Sequence, residues 1–199
     1  MKKTFSTRDF VILSLLVAVV IVLGYLSIPL APGLSLTFNM IPMAIAAIAL
    51  GPTGGAIIGL AFGLVSFLQC FGIFGSSAMG VITLGINPFF TFIQRVVPRV
   101  LDGLLLGIIY RGVKKRLNHP AACAVTGFMA ALLNTIFFMT ALVVLFKDSA
   151  YMQEKMAGLS PLAYVLASIG AQAVVEMITS TILTGAIGIA LGKAKLIDA

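Results

Sequence analysis

Charge is what this chain has least of. Only 10% of its 199 residues are Asp, Glu, Lys or Arg, against about 25% in an ordinary soluble domain. So few polar groups cannot cover the surface of a water-soluble fold. Tryptophan is absent, histidine occurs once and cysteine twice. The lone His119 lies in a basic loop, which excludes a Ser-His-Asp triad and, with Cys70 and Cys123 distant in the chain, leaves no metal cage. The two cysteines fall near opposite ends of their helices, so a disulfide, which needs α-carbons within about 7 Å, is not expected. No Gly-x-x-x-x-Gly-Lys-Ser/Thr run is present, which removes the commonest nucleotide-binding loop. Asp102 and Glu176 are the only acids in apolar segments, too few for metal-dependent lipid or phosphate chemistry. The chain reads as a non-enzyme with no metal or cofactor of its own.

What is abundant is apolar sequence. Hydrophobic residues make up 60% of the chain and the mean hydropathy is +1.15. Several continuous apolar runs reach the roughly 18 residues that a membrane-crossing helix needs, and their continuity argues against a β-barrel. The expected fold is all-α, an integral membrane bundle of six transmembrane helices forming one domain over residues 1–199. The helices are expected at about 9–28, 36–50, 53–70, 88–110, 120–146 and 161–191, with Asn87 capping the fourth and Pro98 kinking it. The Gly-rich stretch 71–86 is too apolar for a solvated loop and is expected to re-enter or cap the bundle. The start resembles a secretory leader, but its apolar run is long and no cleavage pattern follows, so it reads as an uncleaved first helix.

The net charge of +7 is a topology signal and does not point to nucleic acid. With the N-terminus inside, Lys2, Lys3, Arg8, Arg111, Lys114, Lys115, Arg116, Lys193 and Lys195 are cytoplasmic, and only Lys147 and Lys155 are outside. That asymmetry puts both termini in the cytoplasm.

Against this background one helix stands out. Arg95, Arg99 and Asp102 lie at i, i+4 and i+7 inside an apolar segment, on one helical face. Charges at that depth cost several kcal/mol by most estimates and mark function by default. At 1.5 Å per residue, Arg95 lies about 10 Å, Arg99 about 16 Å and Asp102 about 21 Å below the outer surface. On the same scale Asn134 lies at about 18 Å, Gln172 at about 16 Å and Glu176 at about 22 Å. Asn39, Gln69 and Asn87 fall nearer the rim, with Gln94 beside the arginines. Helices 4, 5 and 6 thus carry polar groups at matching levels, as a cavity open to the outside would. Arg95 has no acidic neighbour one turn away and is the candidate anchor for a ligand carboxylate. Asn134, Gln172, Asn39, Gln94, Asn87 and Gln69 are candidates for neutral hydrogen bonds to the same ligand. Arg99, Asp102 and Glu176 are expected to form an ion-pair lock between helices 4 and 6. The competing expectation makes all four charges one structural network.

Small residues recur every four positions: Gly51, Gly55, Gly59 and Gly63; Gly103 and Gly107; Thr184, Gly188 and Gly192; Ser14 and Ala18. Such stripes let helix backbones approach closely. The glycine stripes are expected to pack inside the bundle; Ser14 and Ala18, on the outer first helix, are equally suited to docking another subunit.

Six helices in about 200 residues, a small-residue patch on helix 1 and the junction Leu50-Gly51-Pro52-Thr53-Gly54-Gly55-Ala56 resemble the substrate-binding S component of an energy-coupling factor transporter. The likeness covers essentially the whole chain. It implies a bacterial multi-pass protein of the cell membrane that takes a vitamin from outside in a pocket near helices 4 to 6. It also implies partners: a coupling membrane subunit and two ATPases, which use the ATP. The docking patch of such proteins is Ala-x-x-x-Ala; here the corresponding run is Ser14-Leu15-Leu16-Val17-Ala18. Asn87-Pro88-Phe89 and Val97-Pro98-Arg99 resemble the pantothenate-type members, and pantothenate would offer a carboxylate to Arg95 with hydroxyl and amide groups for Asn and Gln. Folate or riboflavin are the alternative vitamins, and a self-sufficient, proton-coupled small carrier is the alternative of another class.

Overall fold

In a computed structural model, residues 5–26, 28–31, 34–167 and 170–194 are described. The chain is overwhelmingly helical, and its long elements are those that the apolar runs foretell. Helix α1 spans Thr7–Tyr25 and begins with a reciprocal cap in which Ser6 and Asp9 satisfy each other's backbone N–H groups. A short antiparallel pair, β1 (Ile28–Ala31) and β2 (Leu34–Leu36), follows. This short hairpin is a small exception within the expected helical fold: Pro29 lies in β1 and favours an extended backbone there, and the next helix starts only at Met40.

Helix α2 (Met40–Leu68) contains one non-helical residue, Gly51, at φ 74° and ψ −161°. On a straight helix Met43 and Gly59 would stand about 24 Å apart. Instead a Cβ placed on Gly59 would lie 3.3 Å from the Met43 sulfur, and one on Gly55 3.0 Å from Ala47 Cβ. The chain therefore reverses at Gly51-Pro52, and the two halves of α2 form the antiparallel helix pair expected at 36–50 and 53–70. Gly51 occupies backbone space essentially closed to other residues, at a cost of about 1–3 kcal/mol for a side chain. An added Cβ would also meet Arg111 Nη2 at 2.5 Å. Gly51→Ala is accordingly expected to lower the thermal unfolding midpoint in detergent by several degrees; an unchanged midpoint would mean the reversal does not depend on glycine.

A single turn of 3-10 helix (Gln69–Phe71) leads to α3 (Ala78–Ile86), a short helix capped by Ser77 in the Gly-rich stretch. Helix α4 (Pro88–Val113) starts as expected: Pro88 occupies its first turn and Asn87 Oδ1 accepts the Phe90 N–H at 3.0 Å. It continues through Pro98. Helix α5 (His119–Phe146) is followed by α6 (Ala150–Met156) within the expected loop, then α7 (Pro161–Ala167) and α8 (Ala171–Lys193). The sixth expected helix is thus two helices, with α8 beginning after Gly170.

The glycine stripes pack as predicted. Gly55 faces the Gly103 backbone, Gly59 the Arg99 carbonyl, Gly63 the Val96 backbone and Gly107 the Gly51-Pro52 turn, so α2 and α4 run backbone against backbone. Across the α5–α8 seam Gly127 meets Ser180 and Thr184, and Gly188 meets Cys123. The Ser180 hydroxyl donates to Gly127 O at 2.8 Å. Helix α4 packs on α2 and α5, whereas α8 packs on α5 and α2. The lateral faces of the bundle are apolar and exposed, including Phe10, Leu15, Leu101, Ile108, Val144 and Ile182. Such a girdle suits lipid and not water. Four stretches of the described residues are long and apolar enough to cross a membrane: Thr7–Tyr25, Met40–Phe71, His119–Phe146 and Ala173–Lys193.

Candidate functional site

The close α2–α4 seam brings the charged face of α4 against the glycine stripe, Phe62 and Ser66 of α2. Arg95 and Arg99 are 4% and 5% exposed, and Asp102 and Gln94 are fully buried. Arg95 reaches up the bundle: Nη1 donates to Ser66 Oγ on α2 and Nη2 to Ser77 Oγ at the start of α3, each at 3.2 Å. Its Nε has no partner. Arg99 donates from Nη1 to Arg95 O at 2.7 Å. Its guanidinium carbon lies 4.3 Å from the Phe62 ring centre on α2 and 4.9 Å from Phe138 on α5, and Phe138 also lies 5.2 Å from the Arg95 guanidinium. Arg99 thus lies near two aromatic rings and Arg95 near one of them, a favourable setting in a desolvated site.

In the expected lock of Arg99, Asp102 and Glu176, no hydrogen bond joins Arg99 to Asp102. Neither Asp102 oxygen accepts a hydrogen bond. Side chains on a helix lean toward its N-terminus, so Arg99 extends toward Arg95 and away from Asp102, which lies three residues on. Glu176 accepts the Thr37 N–H at 3.3 Å and so ties α8 to the end of the β-hairpin. Because α8 starts at Ala171, Glu176 lies only about 8 Å below the start of its helix.

The other candidates divide into two groups. Gln69 and Asn87 carry structural bonds: Gln69 Nε2 donates to Gly24 O at 2.9 Å and Phe74 O at 3.2 Å, and Asn87 caps α4. Asn87 also lines a cleft of about 240 Å³ with Phe90, Phe146, Asp148 and Ser149 at the start of α4. In contrast, Asn39 is 2% exposed with Oδ1 unpartnered, and both amide atoms of Gln94 are buried without a partner. Asn39 lies one turn above Met43, which abuts Gly59 beside Arg99; this places it level with Arg95. Asn134 is half-buried, one turn of α5 before Phe138. Gln172 lies in the first turn of α8, but its side chain is outside the described set. Ser14 and Ala18 are exposed on α1, where Ser14 Oγ bonds back to Phe10 O.

Ser66, Ser77, Phe62 and Phe138 were not singled out from sequence. Phe62 and Ser66 are one turn apart beside the Gly59–Gly63 stripe, and Phe138 is one turn from Asn134, so helical spacing from known candidates would have found three of the four.

Buried polar atoms are nearly always hydrogen-bonded. Here the unpartnered ones concentrate on Asn39, Gln94, Arg95, Arg99 and Asp102, around two arginines and one carboxylate with a net single positive charge. Such a constellation is chemically suited to a small anion with hydrogen-bonding arms.

Fold and site together define a multi-pass helical membrane protein with a polar, cationic centre enclosed by apolar helices. The chain belongs to the family described as ECF transporter, substrate-specific component, whose model matches residues 8–188. It is 32% identical over 191 residues to the pantothenate transporter PanT of Leuconostoc mesenteroides subsp. mesenteroides, covering 92% of this chain and 88% of that one. It is 28% identical over 211 residues to the pantothenic acid transporter PanT of Lactococcus lactis subsp. cremoris, covering 98% of each. The family is one of transport components and not of enzymes.

Proposed function

We propose that this protein is the pantothenate-binding subunit of a bacterial vitamin uptake transporter in the plasma membrane. The observation that carries the substrate class is the burial of two guanidinium groups, Arg95 and Arg99, beside one carboxylate, Asp102, a group of formal charge +1. A ligand with one carboxylate neutralises it, and pantothenate has one. Its amide and hydroxyl groups match the unpartnered amides of Asn39 and Gln94, with Asn134 and Gln172 as further candidates. That the two relatives are pantothenate transporters supports the same substrate.

In this reading the membrane is crossed six times, by α1, the two halves of α2, α4, α5 and the α7–α8 pair, with both termini cytoplasmic. Lysine and arginine placement supports that orientation. The vitamin enters from outside beneath α3, which Ser77 ties to Arg95. The exposed Ser14–Ala18 patch docks a coupling membrane subunit, and two ATPases bound to that subunit use the ATP.

Calorimetric titration of the purified protein with a panel of vitamins tests the reading. Saturable heat with pantothenate, and little with folate or riboflavin, is expected. Tight binding of either of the others, with none of pantothenate, would overturn the assignment. One observation favours a second reading: Asp102 is a buried carboxylate without partners, as a proton-coupled carrier would want. Uptake into liposomes driven by a pH gradient, with no ATPase present, would decide for that carrier.

A further inference from the structure

We propose that the C-terminal end of α4 carries a binding site for one anionic glycerophospholipid, separate from the vitamin site. A cavity of about 420 Å³ lies between the turn of α2 and the end of α4, lined by Ile48, Ala49, Leu50, Gly51, Tyr110, Arg111, Lys114 and Lys115. Three cations edge it, and no acidic side chain lines it. Among the described residues, no carboxylate forms an ion pair with Arg111 or Lys115. The missing side chain at Gly51 makes the room: the Arg111 guanidinium lies where a Cβ would be. Lys114 Nζ is held 6.0 Å from the Tyr110 ring centre. The geometry suits a phosphate group held by a fork and two ammonium groups.

The neighbouring surface shows why the phosphate belongs to a lipid. Leu101, Leu104 and Ile108 are 48%, 38% and 51% exposed, and with the exposed Arg111 and Lys115 they form one line at spacings of three and four residues. From Leu101 to Arg111 that apolar lane is about 15 Å long, enough to seat much of an acyl chain running away from the cations. The cavity floor of Ile48, Ala49 and Leu50 is apolar too. A cationic pocket at the membrane edge that opens onto an apolar lane has the shape and polarity of an anionic lipid. The proposed orientation sets only which leaflet supplies the lipid; the site itself does not depend on the vitamin.

The test uses the full chain purified in detergent, with native mass spectrometry after adding phosphatidylglycerol or phosphatidylcholine. One retained phosphatidylglycerol is expected, with phosphatidylcholine retained far less. The double variant R111Q/K115Q, both exposed positions, should lower phosphatidylglycerol retention about tenfold or more. Ile108→Gln, which keeps every cation, should lower it as well. Equal retention of the two lipids, or unchanged retention in both variants, overturns the proposal. So does displacement of the lipid by inorganic phosphate that then stays bound, since that outcome assigns the pocket to a soluble phosphate. Pantothenate titration of the same samples separates the two readings: lipid retained without vitamin binding counts against the transport assignment alone, and vitamin bound without lipid against this site alone.

Discussion

Replacing Arg95 with alanine is expected to weaken pantothenate binding by about 100-fold or more, close to 3 kcal/mol. Three features of the geometry set that size. First, the guanidinium is 4% exposed, so a carboxylate meeting it is screened by little water. Second, it is fixed in advance: Ser66 and Ser77 take one Nη each and Phe138 covers a face, so little rotamer entropy is lost on binding. Third, removing Arg95 leaves Arg99 and Asp102 as a neutral pair, and the reason for an anion to enter disappears. Arg95→Lys tests the fork apart from the charge. Its single ammonium cannot reach both serines and a ligand, so an intermediate loss is expected. Arg95→Ala with unchanged affinity by calorimetry would remove this residue from the site and leave Arg99, with its unpartnered Nε, as the anchor.

The sequence made the charged face of helix 4 legible, and also its capped start, because both rest on local rules. A Pro in the first turn and an Asn before it satisfy a helix N-terminus whatever surrounds them. Glycines every four residues are useful only where another backbone approaches, so the Gly51–Gly63 stripe signalled packing inside the bundle, while its partner, α4, emerged only from the structure. What stayed illegible depended on orientation and tertiary partners. Helical spacing placed Arg99 and Asp102 on one face, but side-chain lean carried the guanidinium toward Arg95 and two aromatic rings. Glu176 was placed too deep because the sixth helix was counted as continuous from Pro161, whereas α8 starts at Ala171. A weakly polar run such as 163–172 holds no strong breaker apart from Gly170, so the interruption left little trace. Gln69 looked like a ligand arm, yet its amide joins the end of α1 to the turn after α2, a contact between segments 45 residues apart that no periodicity reveals. Ser77 escaped for the same reason: a serine that caps a short helix becomes significant only when a guanidinium is seen to reach it.

That dependence of the site on backbone proximity leads to the second large effect. Gly55→Leu is expected to prevent folding or, where protein is recovered, to lower its thermal midpoint in detergent by roughly 10 °C. A Cβ at Gly55 would run into the Gly103 carbonyl, with the Gly103 carbonyl carbon 2.8 Å away and Ala47 Cβ at 3.0 Å. The first two obstacles are backbone and cannot rotate aside, so the α2–α4 pair must separate, at a cost near the upper end of the usual overpacking range of about 1–3 kcal/mol. Binding should fall with stability. Gly59, one turn nearer the site, rests on the Arg99 carbonyl itself, and a displaced α2 carries Phe62 off the Arg99 guanidinium and Ser66 off Arg95. Gly85→Ala supplies the contrast, because an added Cβ there meets nothing within 4 Å; it should leave midpoint and affinity intact and, inside α3, favour the helix slightly. If Gly55→Leu folds and binds pantothenate like the unaltered protein, then the arginine pair is not held in place by the seam, and the glycine stripe does not support the site.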